Sequence, residues 1–150
     1  MGSRVPEVIE ALVALGEADP ELAGVVVADG PQVTDSAALE WLVIGFDGDP
    51  SGDFEAAESV GGWTGLGTRR DEEFQITVAA IVNRGDTDIV AARRRAYEIA
   101  ARVAAWLSAR PNLGLLSVEA AIGTTRLVQD QTEQGAHARL LLTVAGHAFT

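Results

Sequence analysis

The sequence predicts an α/β protein of the α+β type, with a mostly antiparallel sheet of about five strands and two helices packed on one face. Amphipathic helical patterns occur near the start and in the middle of the chain, and strand-like patterns fill most of the rest in the order α-β-β-β-α-β-β. The last third contains two long apolar stretches around a polar turn. These observations predict a terminal β-hairpin that completes the sheet.

Two segments have the period of an amphipathic helix. In residues 5–15, Val5, Ile9, Leu12 and Val13 share one stripe, and Gly16 predicts the end of the helix. In residues 89–109, apolar side chains recur every three or four positions, and an acid or threonine in 86–88 is available as the N-cap. The recurring residues are Ile89, Ala92, Ala96, Ile99, Val103 and Trp106.

Five segments are typical of strands because they are short, β-branched or alternating, and bounded by turn residues. They are 24–31, 39–46, 74–82 and the hairpin arms 115–128 and 136–149, with the polar turn at 129–135. In the last arm, Ala138, Leu140, Leu142 and Val144 alternate with Arg139, Leu141 and Thr143, the period of a strand.

The chain length of 150 residues fits a single domain over 1–150 with one core. Residues 47–71 are rich in Gly, Asp, Ser and Thr and show no apolar period, so they are expected to form a long polar loop. Loops longer than about 12–15 residues in compact domains are often functional.

Composition narrows the classes of function. The formal net charge is −11, which disfavours binding to nucleic acid and to anionic membranes. The chain has no cysteine and no lysine, so thiolate nucleophiles, disulfides and cysteine-bound metals are excluded. No window approaches the roughly 18 apolar residues of a membrane span. We expect a soluble protein made in the cytosol that carries no cofactor.

The stretch GGWTGLGTRRDEE at 61–73 suggests a phosphate or metal site, but a P-loop needs a lysine and a following helix, and here a strand follows. Two interpretations stay open. The stretch is either a flexible polar loop or an interaction loop. In the second case Trp63 and Leu66 are exposed anchors, and Arg69 and Arg70 reach a partner's carboxylates, since Trp and Arg dominate interface energetics.

The preceding stretch DGDPSGDFEAAE resembles a calcium loop in spacing. Asp47, Asp49 and Ser51 take positions 1, 3 and 5, Gly52 takes position 6 and Glu58 takes position 12. A strand precedes it and a glycine-rich segment follows, whereas a true site needs helices on both sides. A solvated acidic loop is therefore the favoured interpretation, and no metal ligand is assigned.

The remaining polar residues do not indicate catalysis. His137 and His147 are about 33 Å apart if they share one strand, and no serine motif accompanies them. The arginines at 93–95 are spread over about 200° of a helix surface, so they favour salt bridges over a nucleic-acid patch. We expect a protein that is not an enzyme.

The order of the whole chain resembles a known family. A short helix is followed by GVVVADGP and WLVIGFDGDP, then by GWTGLGTRRDEEFQITVAAIV, the helix GDTDIVAARRRAYEIAARV and a hairpin with QDQTEQGAHARLLLTV. This order is similar to that of tail-terminator-type proteins of long-tailed actinobacterial phages and prophages. The likeness covers most of the chain and lies in order and phrasing, without a catalytic signature.

The resemblance implies a structural virion protein at the head–tail junction. Tail terminators cap the tail tube, usually as a hexameric ring of identical subunits, and present a surface to the head completion proteins. The expected partners are therefore further copies of the chain, the major tail tube protein and head completion or connector proteins. The alternatives are another head–tail connector or minor tail protein, and a small acidic cytosolic protein that binds calcium or another ligand.

Ring subunits meet through two different patches, and the charges of the sequence suggest both. Arg69 and Arg70, together with Arg93 and Arg94 of the arginine-rich helix, are predicted to supply one patch. The acids of the polar loop are predicted to supply the other, with Asp47, Asp49 and Asp53 as its members.

Overall fold

The protein is represented by a computed structural model that describes residues 2–31, 38–63 and 70–149. It has the predicted α+β architecture, with two helices and a six-stranded, mostly antiparallel sheet. In chain order the elements are α1 (Val5–Ala18), a 3₁₀ turn (Pro20–Leu22), β1 (Val26–Asp29), β2 (Glu40–Ile44), β3 (Ala57–Trp63), β4 (Arg70–Arg84), α2 (Ile89–Ala109), β5 (Val118–Thr132) and β6 (Gly135–Phe149).

Strand β4 organises the sheet. One of its edges pairs with β6 along almost its whole length, from Asp71 opposite Phe149 to Arg84 opposite Ala136. Its other edge is shared, with β3 on the N-terminal half and β2 on the C-terminal half. The strand order is β1-β2-β4-β6-β5, and only the β1–β2 pair is parallel.

The prediction of one loop over 47–71 is wrong for residues Ala57–Trp63, which form β3. The sheet therefore has six strands where about five were predicted. β3 pairs with β4 from Ala57 opposite Ile76 to Trp63 opposite Arg70. Its sequence, AESVGGW, has no apolar stripe, because β3 is an edge strand stabilised by its ladder with β4. A pattern search for buried stripes misses such a strand.

The terminal hairpin is confirmed, but its turn is much shorter than the predicted 129–135. Thr132 pairs with Gly135, so only two residues form the turn, and β5 continues through the polar stretch QDQT. These residues are exposed, and β6 supplies their ladder. The apolar alternation of β6 is confirmed, since Ala138, Leu140, Leu142 and Val144 are all buried.

Both helices cover the same face of the sheet. The α2 stripe was predicted correctly, and the side chain of Asp88 caps the helix by accepting a hydrogen bond from the Ala91 N–H at 3.0 Å. The α1 stripe is rotated from the predicted one, with Val8, Leu12 and Gly16 fully buried. Gly16 lies inside the helix and does not end it. Glycine is favoured there because a Cβ would come within 2.8 Å of Val27 Cγ1.

Among residues 2–31, 38–63 and 70–149, no helix packs on the second face of the sheet. Strand alternation places Gln75 and Thr77 of β4, and Arg139, Thr143 and His147 of β6, on this open face. The segment 45–56, between β2 and β3, crosses part of it. This segment contains the acids that the sequence assigned to an assembly patch.

Candidate functional site

The acidic segment 47–55 is a structured loop held by its own carboxylates. The Asp47 carboxylate accepts a hydrogen bond from the Asp49 N–H at 2.8 Å. That of Asp49 accepts from the Ser51 N–H and hydroxyl, both at 2.9 Å, and that of Asp53 accepts from the Glu55 N–H at 3.0 Å. These are local turns in which Asp supplies the acceptor that folds the backbone.

The hydroxyl and N–H of Ser51 have a direct electrostatic consequence. Their hydrogen bonds lower the pKa of the Asp49 carboxyl below its usual value, with a smaller contribution from the charge of Arg139. The loop therefore keeps its negative charge to more acid pH than an isolated aspartate would.

The loop is fixed to the open face at Gly48. This residue has a φ of +81°, and a Cβ there would come within 2.7 Å of Ile81 Cδ1 and 3.1 Å of Arg139 Cδ. At the other end of the loop, the ring of Phe54 stacks on Phe46 with centroids 5.3 Å apart. Phe54 is still 49% exposed, so the loop presents an aromatic ring between two exposed acids, Asp53 and Glu55.

The calcium spacing is not matched by a calcium geometry. Glu58, the predicted last ligand, lies in β3 opposite Gln75, and the aspartates are occupied by backbone donors of the loop. Within residues 2–31, 38–63 and 70–149, no group of three or more His, Cys, Asp or Glu side chains is arranged to hold a metal ion.

A polar groove of about 460 Å³ separates the loop from the β5–β6 hairpin. Its loop wall contains Asp47, Asp53 and Glu55, and its hairpin wall contains Arg126 and Thr143. The Thr124 hydroxyl donates a hydrogen bond to the Thr143 hydroxyl at 2.9 Å across the hairpin. The acids of the groove therefore lie on its loop wall, and the hairpin wall faces them with Arg126 and threonine hydroxyls.

The opposite face of the protein carries the arginines of α2. Arg95 forms salt bridges with Glu40 at 2.9 Å and Glu98 at 3.1 Å, in accordance with the predicted structural role for this run. Arg93 donates a hydrogen bond to the Gln129 amide oxygen at 3.0 Å. Arg94 is exposed, and lies between the exposed side chains of Val90 and Tyr97 on the outer surface of the helix.

The predicted arginine patch is not one surface. Arg93 contacts Gln129, which is in register with Ala138 and Val82 near one end of the sheet. Arg70 begins β4 at the other end, twelve residues and about 40 Å away along the strand. On α2, Arg95 and Arg102 are paired with Glu40 and Asp19, so Arg93 and Arg94 are the predicted patch residues that this helix still offers to a partner.

The rest of the predicted contact loop is only partly described. Trp63 is the last residue of β3 and lies in register with Arg70, the first residue of β4. Leu66 and Arg69 fall outside the described residues, so their predicted role as contacts stays a prediction. The prediction for Trp63 and Arg70 is also untested, but both positions are now placed at the end of a two-stranded ladder.

The histidines lie on the open face at opposite ends of β6. His137 Nδ1 lies 2.8 Å from Asn83 Oδ1, and His147 Nε2 lies 3.4 Å from Asp71 Oδ2. The Phe149 N–H donates a hydrogen bond to the Ser117 carbonyl at 3.0 Å. Over the described residues, no hydrogen bond joins the Ser117 hydroxyl to His147.

Sequence reasoning missed two features of the acidic loop. Phe54 and Glu55 are exposed at its C-terminal end, and Phe54 stacks there on Phe46, the residue that precedes the loop. The available signal was the pair of phenylalanines that bracket the acidic residues, in GFDGDPSGDF.

The chain matches no model of a known protein family and no curated protein sequence. In the described part of the chain, no helix is long and apolar enough to cross a membrane.

Replacement of Gly48 by alanine tests whether the loop is held in place. We expect the variant to lose about 1–3 kcal/mol of stability, because the left-handed backbone and the contacts with Ile81 and Arg139 both oppose a Cβ. Hydrogen exchange should speed up in residues 47–55 before it does in β4 and β6. Gly85→Ala is the control, since nothing lies within 4 Å of its Cβ position. Equal effects of the two changes would contradict a fixed loop.

Proposed function

We propose that the chain is a structural virion protein of the tail-terminator type. It caps the tail tube as a ring of identical subunits, a hexamer in the resembled family, and joins the tube to the head completion proteins. It acts by assembly and not by catalysis, and its place in the virion is the head–tail junction.

The observation that carries this proposal is the separation of charge across the sheet. Asp53 and Glu55 are exposed on the loop over the open face, while Arg94 is exposed on the helix over the other face. Two complementary patches on different sides of one subunit suit a heterologous contact, in which each copy binds the next head to tail. When the rotation between copies closes, such contacts make a ring.

The exposed aromatic side chains support the same use of these surfaces. Phe54 is 49% exposed between the acids, and Tyr97 is 48% exposed one turn after Arg94. Aromatic residues and arginine are enriched at the energetic centres of interfaces. The order of elements, which resembles that of tail terminators, supplies the tube and the head completion proteins as partners.

Charge reversal tests the proposal. Asp53→Arg and Arg94→Glu should each abolish rings and capped tube ends in negative-stain images of the protein mixed with purified tail tubes. The melting temperature should stay within a few degrees of wild type, because both residues are exposed. Glu17→Arg is the matched control, since it changes charge as Asp53→Arg does and lies exposed on α1.

The wild-type protein must decorate tube ends for the proposal to stand. A wild type that binds no tubes and instead binds head completion proteins alone would identify a connector. If Asp53→Arg and Arg94→Glu cap tubes as well as Glu17→Arg does, the two charged patches are not the ring contacts.

A further inference from the structure

The outer edge of β5 is an open strand edge. β6 pairs with its inner edge from Val118 to Thr132, interrupted by a bulge between Ile122 and Thr125. On the outer side, the Ala120 N–H donates to the Pro111 carbonyl at 2.8 Å, so the segment 110–117 covers the first residues. Beyond the bulge, no backbone hydrogen bond from this edge to another described segment is present. Unpaired edges are templates for pairing with another chain.

The outer edge is accessible after the bulge. All residues from 124 to 132 are exposed except the half-buried Leu127, and this segment contains no proline. Because Thr132 and Gly135 flank a two-residue turn, they face each other in the ladder. The alternation of an antiparallel ladder then directs the backbone groups of Leu127, Gln129 and Gln131 to the outer side.

The side chains along this edge are complementary to themselves. Arg126, Val128 and Asp130 lie on the open face, in register with Leu141, Arg139 and His137 of β6. If a second β5 is placed antiparallel with Val128 opposite Val128, each Arg126 faces the other copy's Asp130. Opposite charges and β-branched pairs at such positions each stabilise a ladder, and like charges destabilise it.

We infer that two copies of the chain pair along the outer edges of β5, antiparallel about a twofold axis at Val128. The pair joins the two sheets into one, with Leu127 and Gln129 of each copy exchanging backbone hydrogen bonds across the axis. Thr124 then faces Thr132 at both ends. A second copy is the occupant because one edge supplies both members of each ion pair, at the same spacing from the axis.

Neither charged side chain is needed for the fold of a single copy. Within the described residues, Arg126 and Asp130 are exposed and form no ion pair or side-chain hydrogen bond. Charge reversal at either position therefore changes the edge and leaves the core unchanged.

Sedimentation velocity at low ionic strength tests the pairing, because salt screens exposed charges. The wild type should form a concentration-dependent dimer. Arg126→Asp and Asp130→Arg should each weaken it by at least about tenfold, since both ion pairs become like-charge pairs. An equimolar mixture of the two variants should dimerise again. In that mixed dimer the acid introduced at position 126 faces the arginine introduced at position 130, and the unchanged Arg126 faces the unchanged Asp130.

Glu119→Arg is the matched control, because Glu119 is exposed on β5 but lies before residues 124–132, which form the proposed dimer contact. It should dimerise like the wild type. A wild type that stays monomeric at every concentration overturns the inference, including when it binds an extended peptide of another protein. So does a mixture of the two variants that stays monomeric, the result expected if the edge of β5 instead pairs with the edge of β3.

This inference does not rest on the proposed function. The dimer uses the β5 edge and is measured without tubes, whereas ring contacts involve the acidic loop and α2. If the protein caps no tubes but the mixture of variants dimerises, the dimer is supported and the ring is not. If the protein caps tubes but the mixture stays monomeric, the ring is supported and the dimer is not.

Discussion

Replacing Gly146 with alanine is expected to cost about 3 kcal/mol, a large part of the stability of a domain of this size. The atom closest to a Cβ at this position is Cζ of Phe74, and the Glu119 carbonyl oxygen lies 2.6 Å away. Gly146 is in register with Phe74 on one side and Ala120 on the other. The buried Phe74 ring therefore lies across the glycine, and the β5 backbone closes the space from the other side.

Urea unfolding followed by circular dichroism measures this effect as a lower midpoint at an unchanged slope. Gly62→Ala is the control, because Gly62 is also in a strand and no atom of the described residues lies within 4 Å of its Cβ position. Its free energy of unfolding should stay within about 0.5 kcal/mol of that of the wild type.

A second variant keeps the test informative if Gly146→Ala fails to fold. Phe74→Leu removes the ring that opposes the new methyl group, so Phe74→Leu/Gly146→Ala should be more stable than the sum of the two single changes allows. Additive losses would show that Phe74 does not explain the need for glycine.

The elements that bury apolar residues at a regular period could be predicted from the sequence. α2 begins and ends as its stripe and its Asp88 cap indicate, and the four alternating residues of β6 are buried. In each case the spacing of apolar residues within the element itself matches the period of its buried face, so no information about neighbouring elements is needed.

The elements that depend on a partner could not be predicted in the same way. β3 has no apolar stripe, and the second half of β5 is exposed on both faces, so both exist because a neighbouring strand provides the ladder. The buried stripe of α1 differs from the predicted one because β1 approaches so closely at Val27 that only Gly16 fits there. Local periodicity does not contain that contact.

The candidate assembly surface was predictable in its charges but not in its arrangement. The sequence shows acids at 47–55 and arginines at 93–95, yet only the fold places these two groups on opposite faces of the sheet. The fold also separates Arg70 from the arginines of α2. The distance is about twelve residues along β4. Opposite faces make the two patches available to two different neighbours, which is the condition for head-to-tail assembly.

The second prediction with a large expected effect concerns a buried carboxylate between the helices. Asp19 follows α1, and its side chain is only 3% exposed. One oxygen accepts hydrogen bonds from Arg102 Nε and Trp106 Nε1 of α2, both at 2.8 Å, and the other accepts from the Glu21 N–H at 2.9 Å. Asp19 thus connects the end of α1 to the C-terminal half of α2.

Asp19→Asn should lower the free energy of unfolding by about 2–3 kcal/mol at neutral pH. The amide keeps the shape of the side chain, but it loses the charge that Arg102 faces and turns a donor group towards other donors. Glu21→Gln is the control, because Glu21 is exposed and lies two residues after Asp19, so the change removes a nearby charge that is not buried. Equal losses in the two variants would contradict a role for the buried carboxylate.

The stability that Asp19 contributes should depend on pH in a defined direction. Burial raises the pKa of Asp19, but hydrogen bonds from Arg102, the Glu21 N–H and Trp106 outweigh burial and hold the pKa below its usual value of 3.8. A carboxyl whose pKa is lower in the folded state stabilises the protein above the unfolded pKa, and this contribution is lost as the pH falls through the folded pKa. The difference in unfolding free energy between wild type and Asp19→Asn should therefore be constant from neutral pH down to about pH 5 and shrink below about pH 4. The indole N–H resonance of Trp106 should shift over the same acid range in the wild type, because its acceptor becomes protonated there. A difference that stays constant down to the lowest pH at which the protein is folded would show that the charge of Asp19 does not stabilise the contact between the helices.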